Sequence, residues 1–287
     1  MNYIITGSSG FIGSSLCKKL IKDNNFVIGI DSKFPSINNL NYTHIDYDIS
    51  SSSILDINFE SIFIPDIIYN LASPTIPKDC IDSPEKTFKT NTIGTINILE
   101  IAKKYNIPLI QVSTIRVFEP ITESNKKLEC YINGKKESES ICNRYITNYN
   151  MDIRIARLFS VYGKMSINDS RVIPVFIKKA LKDENIEIWG TGEQQDSFTY
   201  IDDIIDDLIN LEDPIVELGG DIWISIKDLA NKIISLANSN SKVILIDKPG
   251  TADRKTMQKN YKSRTSLDDG LLKTIEYYRD LVQRSSC

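Results

Sequence analysis

The sequence predicts an α/β fold in which a doubly wound parallel sheet is followed by a smaller C-terminal lobe. In the first half of the chain, apolar runs of strand length alternate with helical stretches, a pattern typical of βαβ units and a parallel sheet. After residue 158 this rhythm changes, and loops rich in Gly, Asn, Asp and Ser follow. We therefore predict one domain over residues 1–158 and a lobe over residues 159–287, from which residues 197–212 return to the first domain.

The individual elements are predicted from local patterns. Strands are apolar runs bounded by Gly, Pro, Asn or Asp, and helices repeat apolar residues on one face, as at Leu16 and Leu20. His44 is expected at the end of a short strand over 42–45, and serines 50–53 are expected to cap a helix. In chain order, the other predicted elements are strand Asn2–Thr6, helix Phe11–Lys22, strand Phe26–Ile30, strand Asp66–Leu71, helix Pro84–Tyr105, strand Pro108–Val112, helix Gly134–Tyr149, strand Asp152–Arg157, helix Val172–Lys182 and helix Ile226–Ala237.

The composition indicates a soluble globular protein and disfavours several other classes. Hydrophobic residues make up 41% of the 287 residues and charged residues 25%, which argues against disorder. A net charge of −4 does not suit binding to nucleic acid, and no apolar run reaches the roughly 20 residues that cross a membrane. The first residues do not resemble a secretory signal, so a cytoplasmic location is expected.

Zinc chemistry and hydrolysis through a Ser-His-Asp triad are both disfavoured. The five cysteines include no C-x-x-C pair, and His44 is the only histidine of the chain. A strand-end position is the simpler interpretation of that histidine. We therefore expect neither a metal site nor a histidine base.

A glycine cluster follows the first predicted strand and opens the first helix. Gly7, Gly10 and Gly13 recur at intervals of three, which allows a tight turn, close approach of the backbone to a pyrophosphate and close packing of helix on strand. N–H groups at the helix start, including those of Phe11 and Ile12, would then bind phosphate. No lysine of a nucleoside-triphosphate loop follows, so a Rossmann-type dinucleotide site is predicted, with a purely structural turn as the alternative.

Asp31 ends the second predicted strand, where a carboxylate can hydrogen-bond the adenosine ribose of a dinucleotide. Its charge would repel a 2′-phosphate, which favours NAD over NADP, although Lys33 weakens that preference. Asp48 and the adjoining Ile49 are candidates for the adenine side of the cofactor. An exposed carboxylate in a turn is an equally good interpretation of Asp48.

Tyr131 and Lys135 stand at the start of a predicted helix, four residues apart, so they share a face one turn apart. An ammonium near a phenol favours the phenolate, which lets the tyrosine act as a base nearer neutral pH. Ser113 and Thr114 precede the pair at a strand end. The alternative is that these residues are ordinary strand-end and helix-cap residues.

With these motifs in this order, the sequence resembles the extended short-chain dehydrogenase/reductases, in particular their nucleotide-sugar epimerase/dehydratase branch. The resemblance covers nearly the whole chain. Ordered matches of this kind are specific for fold and cofactor, and much less specific for substrate. The matching segments are residues 7–13, 70–73, 91–95, 113–114, 131–135, 157–163, 198–203 and 270–275.

The resemblance implies a role for each of several residues. Tyr131 would be the acid/base, Lys135 would lower the pKa of that tyrosine and hold the nicotinamide ribose, and Thr114 would hydrogen-bond the sugar oxygen that is oxidised. Hydride would pass between a sugar carbon, usually C4, and NAD. Further cofactor contacts are expected from Leu71, Ala72, Ser73, Asn91 and Ser113, and substrate contacts from Thr75, Lys78, Arg116, Ser160, Arg171 and Arg254.

Two motifs depart from the family pattern. Sugar 4,6-dehydratases have Asp-Glu after the threonine and the related decarboxylases have Ser-Glu, whereas this chain has Ile115 and Arg116. Neither residue is the additional acid or base that dehydration requires, so dehydration is disfavoured. Asp196 replaces an arginine that commonly clamps the substrate diphosphate. Either Arg171 or Arg254 binds the diphosphate instead, or the substrate is not the usual nucleotide-diphosphate sugar. Both arginines could equally be solvated surface residues.

The sequence thus predicts an NAD-dependent nucleotide-sugar oxidoreductase of carbohydrate biosynthesis, foremost a 4-epimerase that works through a transient 4-keto sugar. The alternatives are a 4-reductase of a 4-keto-6-deoxysugar nucleotide, a nucleotide-sugar 4-dehydrogenase and, from another class, a non-catalytic NAD-binding protein. The expected partner is a nucleotide-diphosphate sugar, bound mainly by the lobe over 159–287, while the domain over 1–158 binds NAD. The resemblance also implies a homodimer through the helices at 84–105 and 134–149.

Overall fold

The computed structural model describes residues 1–74, 77–166, 169–248 and 261–284. Within these ranges the chain divides into two units. The first unit is formed by Met1–Ile121, Lys126–Leu158 and Asp207–Val216, and the second by Thr122–Asn125, Phe159–Asp206 and the described residues of Glu217–Cys287. Residues 207–216 thus belong to the first unit, whereas residues 197–206 belong to the second.

The strands and helices have the following bounds. The strands are β1 (Asn2–Thr6), β2 (Phe26–Asp31), β3 (Tyr42–Asp46), β4 (Ile67–Asn70), β5 (Leu109–Thr114), β6 (Ile153–Leu158), β7 (Ser160–Tyr162), β8 (Ile186–Trp189), β9 (Gln195–Tyr200), β10 (Ile215–Leu218), β11 (Trp223–Ser225) and β12 (Val243–Ile246). The helices are α1 (Phe11–Lys22), α2 (Pro77–Asp82), α3 (Pro84–Tyr105), α4 (Glu129–Tyr149), α5 (Val172–Ala180), α6 (Ile201–Ile209), α7 (Ile226–Ala237) and α8 (Leu267–Arg284).

A seven-stranded sheet with the order β10-β6-β5-β4-β1-β2-β3 is the centre of the fold. Strands β1 to β6 pair in parallel, with Ile4 of β1 opposite Ile28 of β2 and Ile68 of β4. The strand order reverses between β1 and β4, which is the place where doubly wound sheets bind ligands at their carboxyl ends. The predicted α/β class with a doubly wound sheet is therefore confirmed.

Apolar strand residues explain why this sheet is the core of the first unit. Ile4, Ile28 and Ile68 are fully buried, and they belong to one cluster with Ile98 and Leu99 of α3. Strands covered by helices on both faces are apolar along their whole length, in contrast to the alternating pattern of half-exposed strands. Burial of these side chains supplies the main favourable free energy of the sheet, at roughly 25 cal/mol per Å² of apolar surface.

The second unit contains two smaller sheets. Strand β9 pairs in parallel with β7 and antiparallel with β11, and β8 pairs in parallel with β12. The buried carboxylate of Asp203 on α6 accepts hydrogen bonds from the backbone N–H groups of Arg264 and Thr265, each at 2.8 Å. This contact fixes the segment that leads into α8, a helix that the sequence patterns did not predict.

Several predicted bounds differ from the observed ones. Helix α4 begins at Glu129, five residues before the predicted start at Gly134, because a 3₁₀ turn over Lys126–Leu128 leads into it without a side-chain cap to mark the boundary. The serines at 50–53 do not cap an α-helix: a 3₁₀ turn spans Ser52–Asp56, and Ser51 before it makes no side-chain cap bond. Strand β5 continues to Thr114, and α5 ends at Ala180.

Three helices end on asparagine in the left-handed conformation. Asn106, Asn150 and Asn238 follow α3, α4 and α7 with φ between 51° and 54°. Glycine is the usual residue at this position, and asparagine is the common substitute because it tolerates the left-handed region. None of the described helices is long and apolar enough to cross a membrane.

Gly13 is expected to be far less replaceable than Gly10. A Cβ at Gly13 would lie 2.1 Å from the carbonyl oxygen of Gly7, whereas a Cβ at Gly10 would lie 3.1 Å from the same oxygen. A shift of backbone atoms to relieve a clash costs free energy. Gly13→Ala is therefore expected to lower the free energy of unfolding by about 2 kcal/mol or more, and Gly10→Ala by less than about 1 kcal/mol. Urea unfolding of the cofactor-free protein measures both. Equal losses in the two variants would contradict this packing argument.

Candidate active site

The glycine loop lies between β1 and α1. Gly7 has φ of +67°, and a Cβ there would lie 2.8 Å from the backbone nitrogen of Ala72, so only glycine fits the turn. Its N–H donates to the carbonyl of Ile30 at 2.8 Å. Helix α1 begins at Phe11, and Gly10 before it offers no side-chain cap. Since the first N–H groups of a helix have no carbonyl partner within the helix, this end suits an anionic diphosphate.

The carboxylate of Asp31 is held beside this loop at the end of β2. It accepts hydrogen bonds from the backbone N–H of Ser9 at 3.0 Å and of Lys33 at 2.9 Å. These bonds orient the carboxylate, and its contact with the ribose stays a prediction. This arrangement fits a dinucleotide with a free ribose diol.

Asp48 has a local structural role. Its carboxylate accepts hydrogen bonds from the N–H and the hydroxyl of Ser50, at 2.9 and 2.7 Å, which forms an Asx turn. Ile49 is buried, and a Cβ at Gly94 of α3 would lie 2.6 Å from its Cδ1. The turn therefore packs directly on α3. Contacts of these two residues with adenine stay a prediction.

Buried polar side chains connect the ends of β1, β4 and β5. The hydroxyl of Thr6 donates to Asn70 Oδ1 at 2.6 Å, and Asn70 Nδ2 donates to Gln111 Oε1 at 2.8 Å. Thr6 Oγ1 also accepts the N–H groups of Leu71 and Ala72, each at 3.1 Å. We call Thr6, Asn70 and Gln111 the strand-end ladder. It locks three parallel strands in register where the glycine loop begins.

Lys135 of α4 is 3% exposed, and its ammonium lies at the same end of the sheet. Its Nζ donates to the carbonyl of Val112 at 2.8 Å, and Gln111 Nε2 lies 3.4 Å from that oxygen. Burial lowers the pKa of Lys135 to about 8, while Glu139 and Cys142 on the same helix oppose the change. The lysine is thus buried, hydrogen-bonded and close to losing its proton near pH 8.

The two other candidate catalytic residues lie in the same unit. Tyr131 is half-buried in the first turn of α4, one turn before Lys135. Thr114 is the last residue of β5, two residues after the carbonyl that binds Lys135, and its Oγ1 accepts the N–H of Arg116 at 3.3 Å. Their proposed roles in the reaction stay predictions.

Close packing of α3 against α4 sets the position of Lys135. A Cβ at Gly134 would lie 3.0 Å from the Cβ of Asn91 on α3, so a larger residue before Lys135 would push the helices apart. Asn91 Oδ1 accepts the hydroxyl of Ser73 at 2.8 Å, and its Nδ2 donates to the carbonyl of Thr87 at 2.9 Å. Asn91 therefore joins α3 to the loop after β4, next to Leu71 and Ala72.

Arg116 is the predicted substrate residue of the first unit. Its guanidinium forms an ion pair with Glu119 at 2.7 Å, so its charge is already balanced within the 3₁₀ turn that follows β5. Ile115 beside it is 2% exposed and presents no acid or base. Contact between Arg116 and a substrate stays a prediction.

The predicted substrate residues of the second unit also have partners. Ser160 donates to the carboxylate of Asp196 at 3.2 Å. Arg171 binds Asp169 through two parallel hydrogen bonds of 3.0 and 2.6 Å, which matches its charge with a half-buried carboxylate. A diphosphate would have to compete with that carboxylate. Thr75, Arg254 and the side chain of Lys78 lie outside the described residues.

Sequence reasoning missed the strand-end ladder and the buried partners of the lysine. Asn70 and Gln111 are at most 2% exposed, and Glu139 is 7% exposed. The only available signal was an amide or hydroxyl side chain at the end of an otherwise apolar strand run, as at Thr6 and Asn70. Such a residue needs a buried partner, although the sequence does not say which one.

Comparisons with known proteins identify the family of the chain. Residues 3–211 match the profile of the NAD dependent epimerase/dehydratase family. The chain is 31% identical to UDP-glucuronic acid decarboxylase 1 of Xenopus tropicalis, over 99% of this chain and 73% of that protein. It is 30% identical to the Danio rerio protein of the same name, over 99% of this chain and 74% of that protein.

Solved structures show the same fold. A UDP-glucuronic acid 4-epimerase from Bacillus cereus in complex with NAD is 27% identical, with a TM-score of 0.79 over 99% of this chain and 98% of that one. UDP-glucose 4-epimerase from Thermotoga maritima has a TM-score of 0.87 over 98% of this chain and 100% of that one. At 23% identity, the second likeness concerns the fold alone.

Replacing Lys135 with methionine is expected to stabilise the cofactor-free protein. The difference between the ordinary pKa of 10.5 and about 8 corresponds to roughly 3 kcal/mol of unfavourable burial. Losing the hydrogen bond to Val112 costs about 1 kcal/mol, which leaves a net gain of about 2 kcal/mol at pH 7. Between pH 8 and 10.5 the unfolded chain binds the proton that the native lysine has released. Wild-type stability therefore rises with pH in that window, and the gain disappears.

Urea unfolding at pH 7, 8, 9 and 10 measures this effect. Lys136→Met is the matched control, because Lys136 is the exposed neighbour on the same helix. The control is expected to show no pH-dependent difference from wild type. A Lys135→Met variant that is less stable than wild type at pH 7 would show that the ammonium is not buried at a cost.

Proposed function

Because the chain belongs to the NAD-dependent epimerase/dehydratase family, we propose that it is a nucleotide-sugar 4-epimerase. In this reaction C4 of a nucleotide-diphosphate sugar is oxidised to a ketone and reduced again on its opposite face. The observation that carries the proposal is the buried ammonium of Lys135, held on the Val112 carbonyl one helical turn from Tyr131. NAD is the cofactor, and when bound it supplies the hydride acceptor.

The residues of the first unit fit NAD. The diphosphate would lie against the start of α1, where Gly7, Gly10 and Gly13 keep side chains out of the loop. Asp31 would receive the adenosine ribose, and its loop contacts already orient the carboxylate. Lys135 would hold the ribose at the nicotinamide end, beside the strand-end ladder.

Proton transfer is assigned to Tyr131 and its neighbours. The cation of Lys135 favours the phenolate of Tyr131, which takes the proton of the C4 hydroxyl as the C4–H bond is broken. Thr114 Oγ1, at the end of β5, would donate a hydrogen bond to the same oxygen. In the second half-reaction the phenol returns its proton to that oxygen, which restores the O–H bond, and the C4–H bond forms again when hydride is returned to the opposite face of C4.

Oxidation and reduction at C4 require no further acid or base. Dehydration does require them, and the two positions after Thr114 hold a buried isoleucine and an arginine already paired with Glu119. The side chains present therefore suit simple redox chemistry. This supports an epimerase over a dehydratase.

Decarboxylation of a nucleotide uronic acid is the second candidate. The relatives named UDP-glucuronic acid decarboxylase favour it. A 4-keto uronic acid is a β-keto acid, and such acids lose carbon dioxide readily. The same Tyr131, Lys135 and Thr114 would form the ketone, so only the fate of the carboxylate separates the two reactions.

The test is turnover of a panel of UDP-glucose, UDP-glucuronic acid and a 4-keto-6-deoxysugar nucleotide, with products identified by NMR. We expect the C4 epimer of one of the first two and no net absorbance change at 340 nm. Carbon dioxide and a UDP-pentose would identify a decarboxylase. Stoichiometric oxidation of NADH would identify a 4-reductase, and net NADH formation a 4-dehydrogenase. NAD binding without any turnover would support the non-catalytic alternative.

Tyr131→Phe is expected to lower kcat by at least about 10³-fold, because it removes the group that carries the proton. NAD binding, measured by fluorescence titration, should stay within about threefold of wild type. Tyr149→Phe is the matched control, since Tyr149 lies on the same helix and is 50% exposed. Near-normal turnover of Tyr131→Phe would contradict the assigned mechanism.

We also propose that the protein forms a homodimer through α3 and α4, as its family resemblance implies. Phe88 and Ile93 of α3 support this, because they are 43% and 44% exposed on a helix that is otherwise polar on its outer face. Exposed apolar side chains on a helix favour an interface between subunits.

A further inference from the structure

A buried ion pair joins α4 to β6 in the first unit. Arg157 Nε lies 3.1 and 3.2 Å from the two carboxylate oxygens of Glu139, and its Nη2 lies 2.7 Å from Oε2. The hydroxyl of Ser113 donates to Oε1 of the same carboxylate at 2.5 Å. Glu139 is 7% and Ser113 is 3% exposed, so these bonds form away from water. None of these contacts is used by the mechanism proposed above.

The ion pair is adjacent to the catalytic residues along both chain segments. Glu139 follows Lys135 by one turn of α4, and Ser113 stands between Val112, which binds Lys135, and Thr114. Two charged side chains of one helix therefore hold two consecutive residues of β5. Arg157 is the register partner of Ser113 on β6, so these contacts also connect β5 with β6.

We infer that Glu139 is a positioning residue of the catalytic site. Its carboxylate fixes the end of β5 that carries Thr114 and provides the negative charge next to the Lys135 ammonium. The inference rests on the proposed function, because it assigns Glu139 a part in keeping Lys135 charged and Thr114 in place for the reaction at C4.

Stability alone does not explain charged groups at this place. A buried ion pair is in general no more stabilising than apolar side chains of the same volume, while removing one partner is strongly destabilising. Two features connect this pair with the site instead. The Ser113 bond constrains the strand end directly, and the charge of Glu139 raises the pKa of Lys135 against the effect of burial. The other titratable groups beside the lysine are Tyr131 and Cys142, both on α4, while Arg157 of β6 faces Glu139.

The first test is Glu139→Gln, which keeps the size of the side chain and removes its charge. With the carboxylate gone, Lys135 should lose its proton at lower pH, so the decline of kcat on the alkaline side should move by about one pH unit to lower pH. At pH 8 kcat is expected to fall about fivefold, because the protonated fraction of Lys135 drops from about one half to about one tenth, while KM changes less than threefold. Glu100→Gln is the matched control: Glu100 is a half-buried carboxylate on α3 that binds Tyr145 at 2.6 Å, and its removal should change neither value.

The double variant Glu139→Gln/Arg157→Gln separates positioning from folding. It removes the pair instead of breaking it, so the melting temperature should recover most of the loss seen in Glu139→Gln. The alkaline limb and kcat should not recover, because the charge beside Lys135 is still missing. If either variant shows the wild-type pH profile and kcat, and only the melting temperature changes, Glu139 is structural and the inference is wrong.

A third measurement does not depend on turnover. Relative to Lys135→Met, the stability of the wild type rises with pH from about 8, where its lysine titrates. In the Glu139→Gln background, this rise should begin at lower pH. If the wild type turns over no sugar nucleotide, the proposed function fails, and this measurement still decides whether Glu139 sets the charge of Lys135. An unchanged onset would overturn the inference.

Discussion

Holding one ammonium group out of water is the constraint on which the rest of the site depends. A lysine with 3% exposure needs an oxygen for its protons and a countercharge nearby, and both come from the strand and helix that carry the catalytic candidates. The Val112 carbonyl can serve only while β5 keeps its register with β4 and β6. The parallel sheet is therefore the frame of the reaction as well as the core of the unit.

The same sheet connects the two ends of the predicted cofactor site. Thr6 precedes the glycine loop, and the strand-end ladder runs from Thr6 through Asn70 and Gln111 to the oxygen that binds Lys135. Hydrogen bonds therefore connect the residue before the glycine loop with the lysine on α4. Placing ligand contacts at the carboxyl ends of adjacent strands brings residues from separate parts of the chain to one edge.

Features that one local segment determines could be predicted from the sequence. The glycine loop, the Tyr131 and Lys135 pair and most strands are of this kind, because a turn needs certain residues and a helix repeats its faces. The Glu139 and Arg157 pair could not be predicted, since the partners are 18 residues apart on different elements. Arg171 shows a different limit: its partner Asp169 is two residues away, yet nothing in the pattern decides between an internal carboxylate and a ligand phosphate.

The asparagines that end α3, α4 and α7 are relevant to engineering a more thermostable form of this protein. Glycine at such a left-handed position avoids the steric strain that asparagine tolerates, and none of these three positions is a catalytic candidate. Screening a mutant library for heat resistance alone would instead reward the loss of Lys135, the lysine that the proposed mechanism requires. A thermostabilisation campaign should therefore restrict its diversity to helix termini and select for turnover at the same time.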